Sequence, residues 1–310
     1  MEKTNKALVL LNMGGARSKE ELKTFLTNMF NDRNILTIKC GFFRSIVASM
    51  IVKSRLNSAW KNYEEIGSET PLHKLTQQLV DKLNTNLEGY KTYQVMRYTP
   101  PFASDVIKQM EEDGITDITL LPLYPQFSST TTKSSLEDFE LYSDEKFNTK
   151  TIKTFYKNEK FNDCITSEIM SQTDTPKEYN LIFSAHGLPQ KIVDAGDPYE
   201  KQMNEHVEIL TNSLKEKGYE FNSVSLAYQS KVGPMKWLDP SLDEALVDFK
   251  DKNVIIYPLA FIVDNSETDF ELNLEYREIA EEIGVGEFKV CKCVNDSDLF
   301  IEAIKDIIKD

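Results

Sequence analysis

The sequence predicts an α/β protein of two similar halves, each a four-stranded parallel sheet with helices on both faces. Three observations predict it. Short apolar runs alternate with helix-length segments along the whole chain, as parallel strands joined by crossover helices require. Each half holds four such runs, and the runs match between halves. The third carries Leu-Pro-Leu-Tyr (121–124) in one half and Tyr-Pro-Leu-Ala (257–260) in the other, and each second run meets a Pro within a few residues of its end. The length of 310 residues exceeds one compact core and suits two domains.

The first strand is Ala7–Leu11, closed by Asn12-Met13-Gly14-Gly15, where the glycines permit a tight turn into a helix. This is not the spacing of a dinucleotide-binding glycine loop. A helix is expected from Ser18, with Glu20 and Glu21 in its first turn. In the next segment Phe42, Phe43, Ile46, Val47, Met50 and Ile51 follow helical spacing, with Arg44, Lys53 and Arg55 near its ends. Two readings weigh equally: a core-packed helix, or an apolar lip over a ligand cleft that also touches a membrane surface. Thr70-Pro71 opens a further helix, with His73 as a surface or helix-start residue. Tyr93–Tyr98 and Ile118–Tyr124 are the second and third strands. The Ser/Thr run after Tyr124 is either an anion seat or a helix cap with spare hydroxyls. Thr151–Tyr156 is the fourth strand.

The second half repeats the plan with Leu181–Ala185, Val224–Gln229, Val254–Phe261 and Phe288–Cys293. The expected division is a Rossmann-like domain over 1–157 and a second over 158–295. The last helix, in 296–310, is expected to return to the first domain. The strand ends of the two domains are expected to face one cleft, since open α/β sheets bind ligands outside their carboxyl ends.

A net charge of −14 argues against nucleic acid, whose phosphates it would repel. No segment has the pattern of a secretory signal or the length of a membrane span. Four cysteines, Cys40, Cys164, Cys291 and Cys293, are too few for a disulfide framework at this size, so a reducing cytoplasm is expected. Cys291 and Cys293 read as a pair of buried small residues on one strand face, not as metal ligands.

The chemistry gathers in the second half. His186 ends one strand, Lys231 and Trp237 follow the next, and Asp264 and Glu267 follow a third. Glu267, Glu271 and Glu275 stand four residues apart and line one helix face. The row is either a solvated acidic face or a path that carries protons or guides a divalent cation. Imidazole and carboxylate together suit transient binding of a first-row metal.

These residues carry a resemblance to ferrochelatases. Its segments are Leu-Asn-Met-Gly-Gly (11–15), Phe-Asn-Asp-Arg (30–33), Met-Arg-Tyr-Thr (96–99), Tyr-Pro-Gln-Phe-Ser with the following Thr-Thr (124–132), Phe-Ser-Ala-His-Gly-Leu-Pro (183–189), Gly-Asp-Pro-Tyr (196–199), Tyr-Gln-Ser-Lys-Val-Gly-Pro-Met-Lys-Trp-Leu (228–238) and Asp-Asn-Ser-Glu-Thr (264–268). The resemblance implies a chelatase-like fold and insertion of Fe2+ into protoporphyrin IX, the last step of haem synthesis. It implies His186 and Glu267 as the catalytic and metal-facing residues, and the reading of Glu271 and Glu275 as a relay stands on their spacing. Met13, Arg97, Tyr98, Tyr124, Ser128, Thr131, Trp237 and Phe261 are the expected porphyrin contacts, and Phe42, Phe43, Ile46 and Val47 the lip. A neutral His is a fitting base for the pyrrole N–H protons, and apolar walls suit a macrocycle held out of plane. Substrates are then protoporphyrin IX and Fe2+, with no permanently bound cofactor and no iron–sulfur cluster. The expected location is cytoplasmic, with peripheral contact at the inner membrane face left open, as is the oligomeric state. The alternatives are a coproporphyrin or cobalt chelatase of the same architecture and a non-catalytic haem carrier. Three positions depart from the family: Asn265 where His is frequent, Lys133 where Gly is usual, and Gly187 where Ser is common.

Overall fold

The computed structural model describes residues 4–143, 145–231, 233 and 235–309. Val232 and Pro234 of the Tyr228–Leu238 segment therefore lie outside the described residues. The chain forms two compact units, one of residues 1–124 and 128–153, the other of 125–127 and 154–310.

The first unit is built on β1 (Lys6–Asn12), β2 (Lys91–Met96), β3 (Asp117–Pro122) and β4 (Asn148–Thr151), all parallel and in the order β2-β1-β3-β4. β1 is interior, and its residues from Ala7 to Leu11 are almost fully buried. An unbroken apolar run is what a strand covered on both faces requires. Its helices are α1 (Lys19–Asn31), α2 (Gly41–Glu65), α3 (Leu72–Asn86), α4 (Ala103–Asp113) and α5 (Ser134–Ser143), with a π-helical turn at Ser129–Lys133. The Ser18 hydroxyl caps α1 by accepting from the Glu21 amide at 3.2 Å. α2 lies on α1, burying Val52 and Tyr63 against Leu22 and Leu26. Its opposite face is open: Phe42 is 72% exposed, and Phe43, Ile46 and Met50 are exposed as well. His73 is buried in the first turn of α3, with Nε2 2.8 Å from the Gly15 carbonyl, so it is not a surface residue.

The second unit repeats the order with β5 (Tyr179–His186), β6 (Ser223–Gln229), β7 (Asn253–Pro258) and β8 (Phe288–Val290), arranged β6-β5-β7-β8 and all parallel. Its helices are α6 (Glu159–Met170), α7 (Gln190–Asp194), α8 (Tyr199–Glu216), α9 (Leu242–Leu246), α10 (Tyr276–Ile283) and α11 (Asp298–Ile307), with a π-helix at Glu267–Glu275 running straight into α10. Pro122 and Pro258 end the matching strands β3 and β7, where a residue without an N–H breaks the ladder at little cost.

Three expectations differ from what is found. The fourth strand of the first unit lies at 148–151, not 151–156, because Phe155 and Tyr156 are core residues of the second unit. The Phe155 ring meets that of Phe161 at 5.0 Å. The boundary accordingly falls at 153/154. The C-terminal helix clusters with the second unit. α11 packs on α6, where Phe300, Ile301 and Ile304 are buried and Phe300 lies 6.0 Å from Phe161. Its strongly one-sided apolar face finds its partner in the nearest helix of its own unit.

Residues Pro125–Phe127 belong to the second unit although the chain on both sides belongs to the first. The Gln126 amide donates to His206 Nδ1 at 2.7 Å, and the Phe127 amide donates to Gln202 Oε1 at 2.7 Å. The Pro125 carbonyl accepts from Phe155 and Tyr156. His206, fully buried on α8, passes the pattern on by donating from Nε2 to Asn162 Oδ1 at 2.8 Å. Burial pushes its pKa down to about 3, so it is a neutral structural imidazole.

Candidate active site

His186 is the last residue of β5, and Gln229 is its register partner at the end of β6. The two strands end side by side, so their last side chains and the following loops open on the same edge. The π-helix starts nine residues after β7 ends and brings its own first residue, Glu267, to this edge. His186 Nδ1 lies 2.9 Å from Glu267 Oε2. Tyr199, at the start of α8, fixes the strand end by donating its hydroxyl to the His186 carbonyl at 3.0 Å.

A second layer stands behind the pair. The Ser230 hydroxyl lies within hydrogen-bond reach of both Glu267 and Glu271. Ser230 has φ +65, a left-handed conformation that few non-glycine residues adopt, and it aims this hydroxyl at the carboxylates. The Gln229 amide nitrogen lies 3.3 Å from Glu267 Oε2 and 3.4 Å from Glu271 Oε2. Its carbonyl oxygen accepts from the Ser184 hydroxyl at 2.7 Å. Gly187 allows the close approach. A Cβ there would lie 2.9 Å from the Gln229 carbonyl oxygen and 3.4 Å from the Trp237 ring.

The glutamate row sits on a π-helix, not the α-helix that its spacing suggests. The Tyr276 amide reaches back five residues to the Glu271 carbonyl, the hydrogen-bond pattern of the wider helix, which is found frequently at functional sites. Glu267 and Glu271 are half-buried, and Glu275 is exposed at the outer end.

Asp264 and Asn265 fix the start of this helix. Asp264 accepts from the Cys293 amide at 2.9 Å and from the Asn295 side chain at 2.7 Å, stapling the loop to the segment after β8. Its carboxylate is thus a structural clamp. Asn265 Oδ1 accepts from the Glu267 amide at 2.8 Å while its Nδ2 donates to the Val263 carbonyl at 3.1 Å. The Asn side chain caps the helix and orients Glu267 from the backbone side.

The charges are coupled. Burial disfavours the His186 imidazolium, but the charge and hydrogen bond of Glu267 outweigh it and lift the pKa to about 9. Burial alone would raise Glu267, yet His186 and the hydrogen bonds from Ser230 and Gln229 hold it below the usual carboxylate range. Glu271 goes the other way: burial and the neighbouring Glu267 charge push it up to about 7. Burial and Glu278 raise Glu275. With Glu267 ionised, the pair favours the charged form of His186. The group poised to exchange a proton near pH 7 is Glu271.

The remaining expected contacts occupy different settings. Trp237 and Phe261 are half-buried in the second unit, Trp237 bridging to Pro189. Lys231 is exposed, 3.8 Å from Glu244. In the first unit Met13 is half-buried. Tyr98 is fully buried and donates to Asp32 at 2.9 Å, so it has no surface to offer a ligand. Arg97 pairs with Asp32 at 3.3 Å and Asp138 at 3.1 Å. The Tyr124 hydroxyl is 3.2 Å from that of Ser135. Ser128 caps the π-helical turn, and Thr131 is half-buried within it. Val47 is half-buried beside its exposed lip neighbours. Sequence reasoning missed Ser184, Gln229 and Ser230 as parts of the cluster. The available signal was polar residues at the ends of strands that are apolar elsewhere.

Two parallel four-stranded sheets in this order give the chain a chelatase-like fold. SirB from Bacillus subtilis, solved with Fe3+, matches with a TM-score of 0.61 at 11% identity, over 98% of this chain and 94% of that one. CbiX, described as the terminal enzyme for biosynthesis of sirohaem in denitrifying bacteria, matches with a TM-score of 0.52 at 11% identity, over 98% of each chain. At such identities the likeness is one of fold. The chain belongs to the ferrochelatase family, whose model matches residues 5–310. The ferrochelatase of a Nitratiruptor species is 48% identical over 97% of this chain and 98% of that protein. That of Helicobacter pylori (strain J99) is 46% identical over 98% and 92%.

Proposed function

We propose that this protein inserts Fe2+ into protoporphyrin IX to give protohaem, and that His186 and Glu267 face the reacting ring. The observation that carries the reading is the 2.9 Å His186–Glu267 pair backed by Glu271. Two pyrrole N–H protons leave as each iron enters, so the site must take protons as it gives up a cation. An Fe2+ ion approaching His186 and Glu267 disfavours the imidazolium proton, freeing a nitrogen and an oxygen donor suited to a first-row metal. Glu271, titrating near pH 7, accepts the displaced protons, and exposed Glu275 passes them to solvent. The iron is a substrate in this scheme, and the protein supplies donors, proton acceptors and half-buried aromatic surface at Trp237 and Phe261.

The exposed apolar face of α2 supports a second element of the reading, peripheral contact with a membrane. Lys39, Arg44, Lys53, Arg55 and Lys61 lie in the same stretch of sequence, and no acidic residue intervenes before Glu64, in a chain of net charge −14. Apolar side chains within a locally basic stretch suit an anionic bilayer surface.

The test is an anaerobic optical assay with porphyrin in excess. Catalytic formation of metalloporphyrin is expected, faster with protoporphyrin than with coproporphyrin. Stoichiometric binding without turnover would favour a haem carrier instead. His186→Ala is expected to lose nearly all insertion while folding normally, because the side chain is 40% exposed. Substantial turnover by a folded His186→Ala protein would overturn the assignment.

A further inference from the structure

The carboxylates of Glu267 and Glu271 turn one oxygen each toward the same point, although like charges at this separation repel. Something must hold them. Ser230 contributes, but a hydroxyl carries a single hydrogen and serves one carboxylate at a time. Gln229 carries two donors on one planar nitrogen, with Glu267 Oε2 at 3.3 Å and Glu271 Oε2 at 3.4 Å. The amide is fully buried, and so is Ser184 on the neighbouring strand. Only one orientation of the amide satisfies all the contacts. Turned over, its oxygen would face the ionised Glu267 carboxylate, which has no hydrogen to share, and Glu267 would lose the amide donor. In the satisfied orientation the carbonyl oxygen needs a donor, and the Ser184 hydroxyl provides it at 2.7 Å.

We propose that Gln229 is a positioning residue for metal insertion: its amide nitrogen, turned by Ser184, draws Glu267 and Glu271 together behind His186. The proposal rests on the function proposed above, and it adds two residues that act through the carboxylates without touching substrate. The relay is short and runs across adjacent strands, from β5 through β6 to the π-helix. Ser184 lies two residues before His186, so one strand supplies both the imidazole and the group that sets its carboxylate partners.

The test compares the parent with Ser184→Ala, Gln229→Met and the double variant. Gln229→Met keeps the length of the side chain and removes its hydrogen bonds. Each single variant is expected to lower kcat at least about tenfold with the porphyrin KM within about twofold, as loss of carboxylate placement requires. The double variant is expected to be no slower than Gln229→Met, since Ser184 acts only through the amide. A folded single variant with kcat within about twofold of the parent, or losses that multiply in the double variant, would overturn the proposal. If Gln229→Met fails to fold, Ser184→Ala, which removes one hydroxyl, decides alone. A crystal structure of Ser184→Ala gives a readout free of activity. Glu271 is expected to withdraw from Glu267, and unmoved carboxylates would refute the relay. A parent protein that inserts no iron would sink the functional reading, and that crystal structure would still decide the relay.

Discussion

Replacing Glu271 with Gln should stabilise the protein at pH 8 and not at pH 5. In the fold this carboxyl titrates at about 7, against an ordinary 4.5. The folded protein therefore holds the proton more tightly than the unfolded chain does, and ionising the group costs stability. Below about pH 4.5 the acid is protonated in both states and the cost vanishes. It grows between 4.5 and 7 and is complete above 7. The difference, 7 − 4.5, corresponds to at most about 3.4 kcal/mol at about 1.4 kcal/mol for each step of one in pKa. Glu271 is half-buried, so solvent screening reduces this to about 1–2 kcal/mol. Gln keeps the size and an oxygen for the Ser230 hydroxyl but never ionises. Thermal melts of parent and Glu271→Gln at pH 5, 6, 7 and 8 should diverge with rising pH, reaching roughly 2–6 °C in favour of the variant. Turnover should fall over the same range, because the proton acceptor is gone. A difference in melting temperature that does not change with pH would refute the reasoning, and normal turnover would reduce the glutamate row to a solvated face.

Two further outcomes follow from the helix start and the lip. Asn265→Ala should cost about 1 kcal/mol through loss of the cap on the Glu267 amide. It should lower activity less than His186→Ala or Glu267→Gln, and Asn265→His should be tolerated and add an ionisation to the pH profile. These are read from melts and from kcat against pH, and an Asn265→Ala protein as inactive as His186→Ala would show the amide to be essential. Phe42→Asp should weaken porphyrin capture and vesicle binding while leaving the melting temperature within about a degree, since the side chain is 72% exposed. A large drop in melting temperature would put Phe42 among packed residues instead.

The strands that could be read from sequence are those buried on both faces. β1 is an unbroken apolar run from Ala7 to Leu11 and β5 is apolar from Leu181 to Phe183, as strands buried on both faces are. β4 is Asn-Thr-Lys-Thr at a sheet edge, mostly exposed, and carries no such signal. The apolar residues just beyond it mimic a strand because they serve another core. His186 is legible from its place at a strand end, and the glutamates from their spacing. The π-helix is not, since residues four apart share a face on either helix. Gln229 and Ser184 were hidden because their contact depends on register between neighbouring strands, which no single run of residues encodes. Asp264 looks from sequence like a partner of Glu267, yet its oxygens are taken by Cys293 and Asn295, residues that only the β7–β8 pairing brings near.

The excursion of Pro125–Phe127 into the second unit bears on the order in which the protein can be completed. These residues leave the ribosome with the first unit, but Gln202 and His206, which bind Phe127 and Gln126, lie 75 and 80 residues downstream. At roughly 5–20 residues per second, the segment waits about 4–16 s for them. A chain stopped at residue 153 would contain every strand of the first sheet and still lack the anchors for the loop between β3 and α5. The protein is thus duplicated in architecture but sequential in assembly, with a segment made early held over until a later helix is made to receive it.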